Sequence, residues 1–140
     1  MALDINEKVS SIMTTNLVTL HPKDTLNEVK EIFANHAIHH IPIVEFKRIV
    51  GIVSKADLQY YERHYDNVPY GDLLEKGRLS AYAIGDVMTK GLATLSPDDS
   101  ISDALELFKE NIFHAIPIEV ESELVGILTT HDIICALAEI

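Results

Sequence analysis

The sequence is poor in cysteine and in basic residues, and each shortage excludes classes of protein. Its single cysteine, Cys135, cannot form a disulfide within the chain and supplies no Cys-x-x-Cys pair for metal or redox chemistry. We therefore expect a reducing, cytoplasmic location. The 11 Lys and Arg residues stand against 22 Asp and Glu residues, which gives a formal net charge of −11. Because such a surface repels nucleic acids and anionic lipids, neither is an expected partner.

Long hydrophobic runs are also missing. No apolar stretch approaches the roughly 20 residues of a membrane-spanning helix, and the first residues carry Asp4 and Glu7 where a signal peptide needs basic residues. Neither membrane insertion nor export is therefore expected. What the chain does contain is a core: 47% of its 140 residues are hydrophobic, enough for one compact domain or two small half-domains.

The chain repeats itself. Met13-Thr14 recurs as Met88-Thr89, 75 positions later, and this register continues without a gap to Asp57 and Asp132. The residues of the first copy that recur unchanged are Leu17, Thr19, Leu20, Pro22, Asp24, Glu31, Phe33, His39, Ile41, Pro42, Ile43, Val50, Gly51 and Ile52. Such a register indicates an internal duplication.

Each copy is predicted to contain a strand, a helix, two strands and a second helix. In the first copy the apolar run at 17–20 predicts a strand, and the capping box Thr25-x-x-Glu28 predicts the start of a helix. The β-rich runs at 41–44 and 49–53 predict a hairpin, after which a helix begins near Ser54. A unit of this size is marginal alone, so we expect an α/β fold in which two β-α-β-β-α repeats pack as a pseudo-twofold pair.

Four motifs recur in order in both copies: Met-Thr, Thr-Leu-x-Pro, His-x-Ile-Pro-Ile, and Gly-Ile-hydrophobic-Ser/Thr-x-x-Asp. Together they resemble a tandem pair of cystathionine-β-synthase (CBS) domains, a Bateman module, of the stand-alone bacterial or archaeal type. The resemblance predicts repeat 1 at 8–66, a linker at 67–82 and repeat 2 at 83–140.

The resemblance also implies a function. CBS pairs typically bind adenine nucleotides (AMP, ADP or ATP) between the repeats, regulate an attached or partner protein, and dimerise through their helices. We therefore expect a non-catalytic module with an adenine nucleotide as its regulatory ligand and no other cofactor, a homodimer that signals to a partner in trans. Two alternatives stay open: a structural dimerisation module without a ligand, and a sensor of another adenosyl compound such as S-adenosylmethionine.

The nucleotide hypothesis also has a physical basis in the Ser/Thr-x-x-Asp motif. Asp57 and Asp132 each follow a predicted strand at the start of a helix. There, free amide groups and the helix dipole favour phosphate, and a carboxylate can accept hydrogen bonds from ribose hydroxyls. The same spacing forms an ordinary capping box, as at Ser100-x-x-Asp103, where no ligand is implied. Capping and binding are compatible roles.

By resemblance, each site combines residues of both repeats. One site would use Leu17, Val18, Ile38, His39, His40, Pro42, Gly126, Thr129, His131 and Asp132. The other would use Gly51, Ser54, Asp57, Leu92, Ala93, Phe113, His114, Ala115 and Pro117. Family members often carry Lys or Arg just before the Asp, and here that position holds His131 in one copy and Ala56 in the other. The resemblance therefore implies that the Asp132 site is better equipped for a charged ligand.

The histidines invite a rival hypothesis, a metal site formed by His36, His39 and His40. Against it, the helix should end near His36, only His39 recurs as His114, and no cysteine or suitably spaced carboxylate completes a ligand set. We therefore predict no metal site, and the resemblance instead implies that His39, His40 and His114 lie near the ligand phosphate. For His114, a partly buried packing role is the open alternative.

Three further features bear on function. The last predicted helix has an apolar face that suggests a surface for pairing with another helix, formed by Ile133, Ile134, Leu137 and Ala138. Cys135 is predicted to have no basic neighbour, so no activated nucleophile and no enzymatic activity are expected. All five tyrosines lie within 58–82, after the shared register ends at Asp57. There they either pack the last helix of repeat 1 and the linker onto the core or form a partner-binding patch or lid: Tyr60, Tyr61, Tyr65, Tyr70 and Tyr82.

Overall fold

A computed structural model describes residues 3–110 and 113–139. Asn111, Ile112 and Ile140, which the sequence assigns to repeat 2, lie outside the described residues. The helices are α1 (Leu26–Asn35), α2 (Lys55–Tyr61), α3 (Gly71–Leu79), α4 (Ile84–Val87), α5 (Ile101–Lys109) and α6 (Thr130–Ala138). The strands are β1 (His40–Glu45), β2 (Arg48–Ser54), β3 (Ala115–Val120) and β4 (Glu123–Thr129). The predicted α/β class, with a hairpin followed by a helix in each repeat, is confirmed.

The chain divides into two compact units, each with its own hydrophobic core. The first-repeat unit comprises Val18–Phe46 and Val50–Lys90. The second-repeat unit comprises Met1–Leu17, Lys47–Ile49 and Gly91–Ile140. In the described part of the chain, no helix has both the length and the apolar character needed to cross a membrane.

The core of the first-repeat unit forms between α1 and the strands that follow it. Leu26, Val29 and Phe33 lie three and four residues apart, so they share one face of α1, and all three are buried. On β1, Ile41 and Ile43 are fully buried. The sequence pattern thus supplies one helical face and one strand run that cover each other.

The core of the second-repeat unit uses the corresponding positions of α5 and β3. Ile101, Ile116 and Ile118 are fully buried, and Val9 joins them from the beginning of the chain. Ile133 of α6 also packs into this core at 8% exposure. The prediction that Ile133 belongs to a free pairing surface was therefore wrong, because its side chain fills the interior of its own unit.

Each unit is completed by the segment at the beginning of the other repeat. Residues 5–14 pack on the second-repeat unit, where the Val9 amide donates to the Asp99 carbonyl at 2.8 Å. Residues 80–89 pack on the first-repeat unit, where the Ile84 amide donates to the Asp24 carbonyl at 2.8 Å. Ile84 lies 75 positions after Val9, and Asp24 lies 75 positions before Asp99. The two hydrogen bonds are therefore equivalent, and the segments 5–14 and 80–89 are exchanged between the repeats.

The first strand of each repeat is shorter than predicted. At 17–20, strand pairing is limited to one bridge between Leu20 and Ile43, and at 92–95 to one between Leu95 and Ile118. The amide and carbonyl of Leu20 are both used, at 3.2 and 2.8 Å. Two residues later Pro22 has no amide hydrogen to donate, so the pairing cannot extend.

The predicted capping boxes are confirmed at the starts of four helices. In each, the side chain of the capping residue meets the amide of the third helical residue, whose own side chain meets the capping residue's amide. The pairs are Thr25 with Glu28, Ser54 with Asp57, Ser100 with Asp103, and Thr129 with Asp132. Helix α1 ends at Asn35 and His36 caps it, also as predicted.

The connector between α2 and α4, residues 62–83, contains a helix, α3, that the sequence did not reveal. Glu75 of α3 is buried, and both of its carboxylate oxygens accept from the Arg63 amide, at 3.2 and 3.1 Å. Tyr61 and Tyr82 pack with ring centroids 4.9 Å apart, whereas Tyr70 is 81% exposed. The predicted packing role of the tyrosines therefore holds for Tyr61, the last residue of α2, and Tyr82, which both pack against the core of the first-repeat unit.

Candidate functional site

The Asp132 carboxylate is held at the start of α6 by several hydrogen bonds. Its Oδ2 accepts from the Thr129 amide at 2.9 Å and from the Thr129 hydroxyl at 3.1 Å. In return, the Asp132 amide donates to the Thr129 Oγ1 at 3.2 Å. Both residues are half-buried, so the carboxylate has a fixed position and an accessible edge.

Thr14 is a further member of this cluster that sequence analysis missed. Its hydroxyl donates to the Asp132 Oδ1 at 3.1 Å, although the two residues are 118 positions apart. The contact follows from the segment exchange, because the Thr14 amide and carbonyl pair with Ile127 of β4 at 2.8 and 2.9 Å. The recurring Met-Thr motif was the available signal, but it did not reveal which repeat the threonine contacts.

The corresponding carboxylate of the first-repeat unit, Asp57, has fewer partners. Its Oδ2 accepts from the Ser54 amide at 2.8 Å, and its amide donates to the Ser54 hydroxyl oxygen at 3.0 Å. Thr89, the counterpart of Thr14, pairs with Ile52 through its backbone at 3.0 and 2.9 Å. Among the described residues of this unit, no hydrogen bond joins the Thr89 hydroxyl to Asp57.

The predicted histidines contribute backbone groups at the same two places. The His39 carbonyl accepts from the amide of Lys55, the first residue of α2, at 2.9 Å. The His114 carbonyl accepts from the amide of Thr130, the first residue of α6, at 3.1 Å. The histidine segment of each repeat is therefore fastened to the start of its last helix, so one backbone arrangement serves both units.

The two predicted site glycines have a packing reason of their own. A Cβ at Gly51 would lie 2.5 Å from the Met88 sulfur and 3.0 Å from the Thr89 carbonyl oxygen. At Gly126 a Cβ would lie 2.8 Å from the Met13 sulfur. The Met-Thr motif and the glycine thus recur together because each exchanged segment crosses a strand where a side chain does not fit. A role of these glycines in ligand binding stays a prediction.

His131 has a neighbour that the sequence analysis excluded. Its Nε2 lies 3.3 Å from the Sγ of Cys135, one helical turn further along α6. The prediction that Cys135 has no basic neighbour was therefore wrong, and the spacing of four residues was the signal that could have revealed the pair. Both side chains are exposed.

The remaining predicted residues are distributed over the two units. The second-repeat unit contains Leu17, Leu92, Ala93, Phe113, Ala115 and Pro117. The first-repeat unit contains Val18, Ile38, His40 and Pro42. Pairing of residues across the repeats into one site stays a prediction. Within 3–110 and 113–139, no group of three or more His, Cys, Asp or Glu side chains is arranged to hold a metal ion.

The model of the CBS domain matches the sequence twice, at residues 9–63 and 84–139. The chain belongs to the CBS domain family. The predicted tandem pair is thereby confirmed, and the two matched stretches correspond to the two copies recognised from the repeat of 75 residues.

The relatives that match this chain differ widely in size. The CBS domain-containing protein YhcV of Bacillus subtilis is 26% identical over 125 residues, which are 89% of this chain and 81% of that protein. An inosine-5'-monophosphate dehydrogenase of Korarchaeum cryptofilum is 26% identical over 128 residues, which are 91% of this chain but 24% of the enzyme. Across four of the relatives, the chain spans between 23% and 39% of the related protein.

Solved structures share the fold. CBSX2 of Arabidopsis thaliana, determined in complex with AMP, has a TM-score of 0.75 at 23% identity and covers 95% of this chain and 97% of its own. The CBS domain pair of protein MJ0100, in complex with 5'-methylthioadenosine and S-adenosyl-L-methionine, has a TM-score of 0.74 at 22% identity and covers 94% and 96%. Because these identities are low, the likeness establishes the fold of the chain and nothing beyond it.

Proposed function

We propose that this CBS domain pair is a non-catalytic regulatory module that binds an adenine nucleotide, with Asp132 and Asp57 as the carboxylates that contact ribose. The observation that carries the proposal is the repeated cluster at the start of the last helix. In each repeat a half-buried aspartate stands beside a hydroxyl group and a backbone carbonyl fixed by the helix. The AMP complex of a protein with this fold supports the choice of ligand. Signalling to a partner in trans stays a prediction.

Capping alone is the competing explanation of the cluster, and α5 provides the control. Ser100 and Asp103 form the same box as Thr129 and Asp132, with amide contacts of 3.3 and 3.1 Å. No ligand is predicted at Asp103. A carboxylate that contacts ribose and a carboxylate that only caps can therefore be compared within one chain.

Isothermal titration of the purified protein with AMP, ADP, ATP and S-adenosylmethionine tests the proposal. We expect Asp132→Ala to weaken adenine-nucleotide binding by about tenfold or more, because a lost hydrogen bond to a charged group costs roughly 1.5–3 kcal/mol. Asp103→Ala should leave the affinity unchanged while each variant loses about 1 kcal/mol of stability. Equal affinities of the two variants would reduce Asp132 to a cap. A protein that binds none of the four ligands would contradict the proposal and favour a structural module.

We further propose that the protein forms a homodimer through α6. Ile134 and Leu137 are 60% and 49% exposed there, and burying apolar surface of this kind favours self-association. Light scattering at micromolar concentrations should give twice the chain mass of 15.6 kDa. The double variant Ile134→Lys, Leu137→Lys should be monomeric. A monomeric parent protein would contradict this assembly without affecting the ligand proposal.

A further inference from the structure

Thr14 uses hydrogen-bonding capacity that Asp132 would otherwise offer to a ligand. A carboxylate has about four acceptor positions, two on each oxygen. Both positions of Oδ2 are filled by the amide and hydroxyl of Thr129, and one position of Oδ1 is filled by the Thr14 hydroxyl. The contacts made by the described residues of the second-repeat unit therefore leave one acceptor position on Asp132.

Asp57 is in a different state at the equivalent place. Within the first-repeat unit its carboxylate accepts from the Ser54 amide alone, which leaves three of about four acceptor positions. The backbone of Thr89 lies against Ile52 just as that of Thr14 lies against Ile127. The two carboxylates are thus distinguished by hydroxyl contacts, those of Thr14 and Thr129, and not by a different course of the chain.

We propose that Thr14 is a specificity-determining residue that makes the two carboxylates recognise ribose differently. A ribose presents two neighbouring hydroxyl donors. Asp57 can accept from both, whereas Asp132 can accept from one while Thr14 stays bound to it. Asp132 therefore tolerates adenosyl ligands that lack one of the two hydroxyls, and Asp57 rejects them. This inference rests on the proposed function, in which both carboxylates contact ribose.

The test isolates each carboxylate by removing the other. AMP, 2'-deoxy-AMP and 3'-deoxy-AMP are titrated into Asp132→Ala, which keeps Asp57, and into Asp57→Ala, which keeps Asp132. In Asp132→Ala we expect both deoxy analogues to bind about tenfold more weakly than AMP, the usual effect of one lost hydrogen bond to a charged group. In Asp57→Ala, one of the two analogues should bind within about twofold of AMP, since its missing hydroxyl would have no acceptor on Asp132.

If Thr14 determines specificity, replacing it changes the discrimination between ligands. A threonine with a purely structural role would leave this discrimination unchanged. In the Asp57→Ala background, Thr14→Val frees an acceptor position, so both deoxy analogues should now bind about tenfold more weakly than AMP. Thr14→Ser keeps the hydroxyl and should retain the tolerance. Thr89→Val, the matched control in the Asp132→Ala background, should leave the discrimination of Asp57 unchanged.

The failures of the two proposals are distinguishable. If the unaltered protein binds no AMP, the nucleotide function fails and this inference fails with it. If the unaltered protein binds AMP but Asp57→Ala does not, Asp132 is no ribose contact. The inference is then overturned together with the assignment of Asp132, while nucleotide binding by the protein and the assignment of Asp57 stand. Equal discrimination by the two carboxylates, or a Thr14→Val variant that keeps the tolerance, also overturns the role of Thr14 and leaves nucleotide binding intact.

Discussion

Among the described residues, the Asp57 carboxylate in the first turn of α2 accepts one hydrogen bond, whereas its counterpart Asp132 in the first turn of α6 accepts three. The backbone around both is the same: an exchanged segment pairs with the second strand of the hairpin, and a histidine carbonyl accepts from the first helical amide. Duplication has therefore kept the frame and changed the side-chain contacts, so equivalent positions need not have equivalent chemistry.

The units also differ in what surrounds this shared frame. The first-repeat unit contains α3, with Leu79 fully buried in its core, in the connector that leads to the exchanged segment 80–89. The second-repeat unit receives its exchanged segment from the beginning of the chain, with the single helical turn Val9–Ser11. The additional helix accompanies the repeat whose carboxylate is less constrained.

Matched truncations of the two cores should have the largest effects on stability. Ile43 and Ile118 are 75 positions apart and both are 0% exposed. We expect Ile43→Ala and Ile118→Ala each to lower the free energy of unfolding by about 2–5 kcal/mol, from lost burial and the cavity left behind. Urea denaturation measures both. A cost well below this range in one unit would show that its core collapses around the gap and that the equivalence of the two cores is false.

Substitution of the two glycines that the exchanged segments cross should lower stability by an intermediate amount, and the amount should differ between the units. We expect Gly51→Ala to cost about 1–3 kcal/mol, because the added methyl group meets the Met88 side chain and the Thr89 carbonyl, and backbone cannot easily move. Gly126→Ala should cost less, since its nearest backbone atom, the Thr14 oxygen, would lie 3.2 Å away rather than 3.0 Å.

Gly77 provides the control for these substitutions. It lies within α3, and a Cβ there would meet nothing within 4 Å. Gly77→Ala should therefore stabilise the protein by roughly 0.5–1 kcal/mol in the same denaturation experiment, because alanine favours the helix. An equal loss of stability at 51 and 126 would contradict the difference in clearance between the two crossings.

Much of the fold could be predicted because its signals are local. Capping boxes such as Thr25-x-x-Glu28 fix where helices begin, and β-rich runs on either side of a short turn fix each hairpin. The segment exchange was beyond such signals. Val9 and Ile84 occupy equivalent positions in the two copies. The internal register is therefore equally compatible with each segment packing on its own repeat or on the other one. The contact between Thr14 and Asp132 depends on that choice, so it could not be derived from the sequence.

Helix faces show the other limit of prediction. Apolar spacing grouped Ile133 with Ile134 and Leu137, but Ile133 is buried while the other two are about half exposed or more. A short helix of nine residues, Thr130–Ala138, has too few turns for its pattern to separate a core face from a free face. Tertiary packing decided which isoleucine entered the core.

The smallest predicted effect concerns the capping carboxylate of α1. Burial raises the pKa of Glu28 above its ordinary value of 4.5, and the nearby Asp24 and Glu31 add to this, while the hydrogen bond from the Thr25 amide opposes it. In the window between the unfolded and folded pKa values the folded protein binds more protons than the unfolded chain. The free energy of unfolding contributed by Glu28 therefore falls as the pH rises through that window.

Glu28→Gln tests this sign, because a glutamine can still accept from the Thr25 amide but carries no charge. We expect the variant to be slightly more stable than the unaltered protein at pH 7, with the difference shrinking as the pH falls and vanishing below 4.5, where Glu28 is protonated in both states. Urea denaturation at a series of pH values measures it. Asp103→Asn, at the equivalent cap of α5, is the control: it shows the effect of losing a capping carboxylate at a site outside the predicted pH dependence. A Glu28→Gln variant that is less stable at pH 7 by an amount independent of pH would show that the ionised carboxylate stabilises the helix, which the raised pKa contradicts.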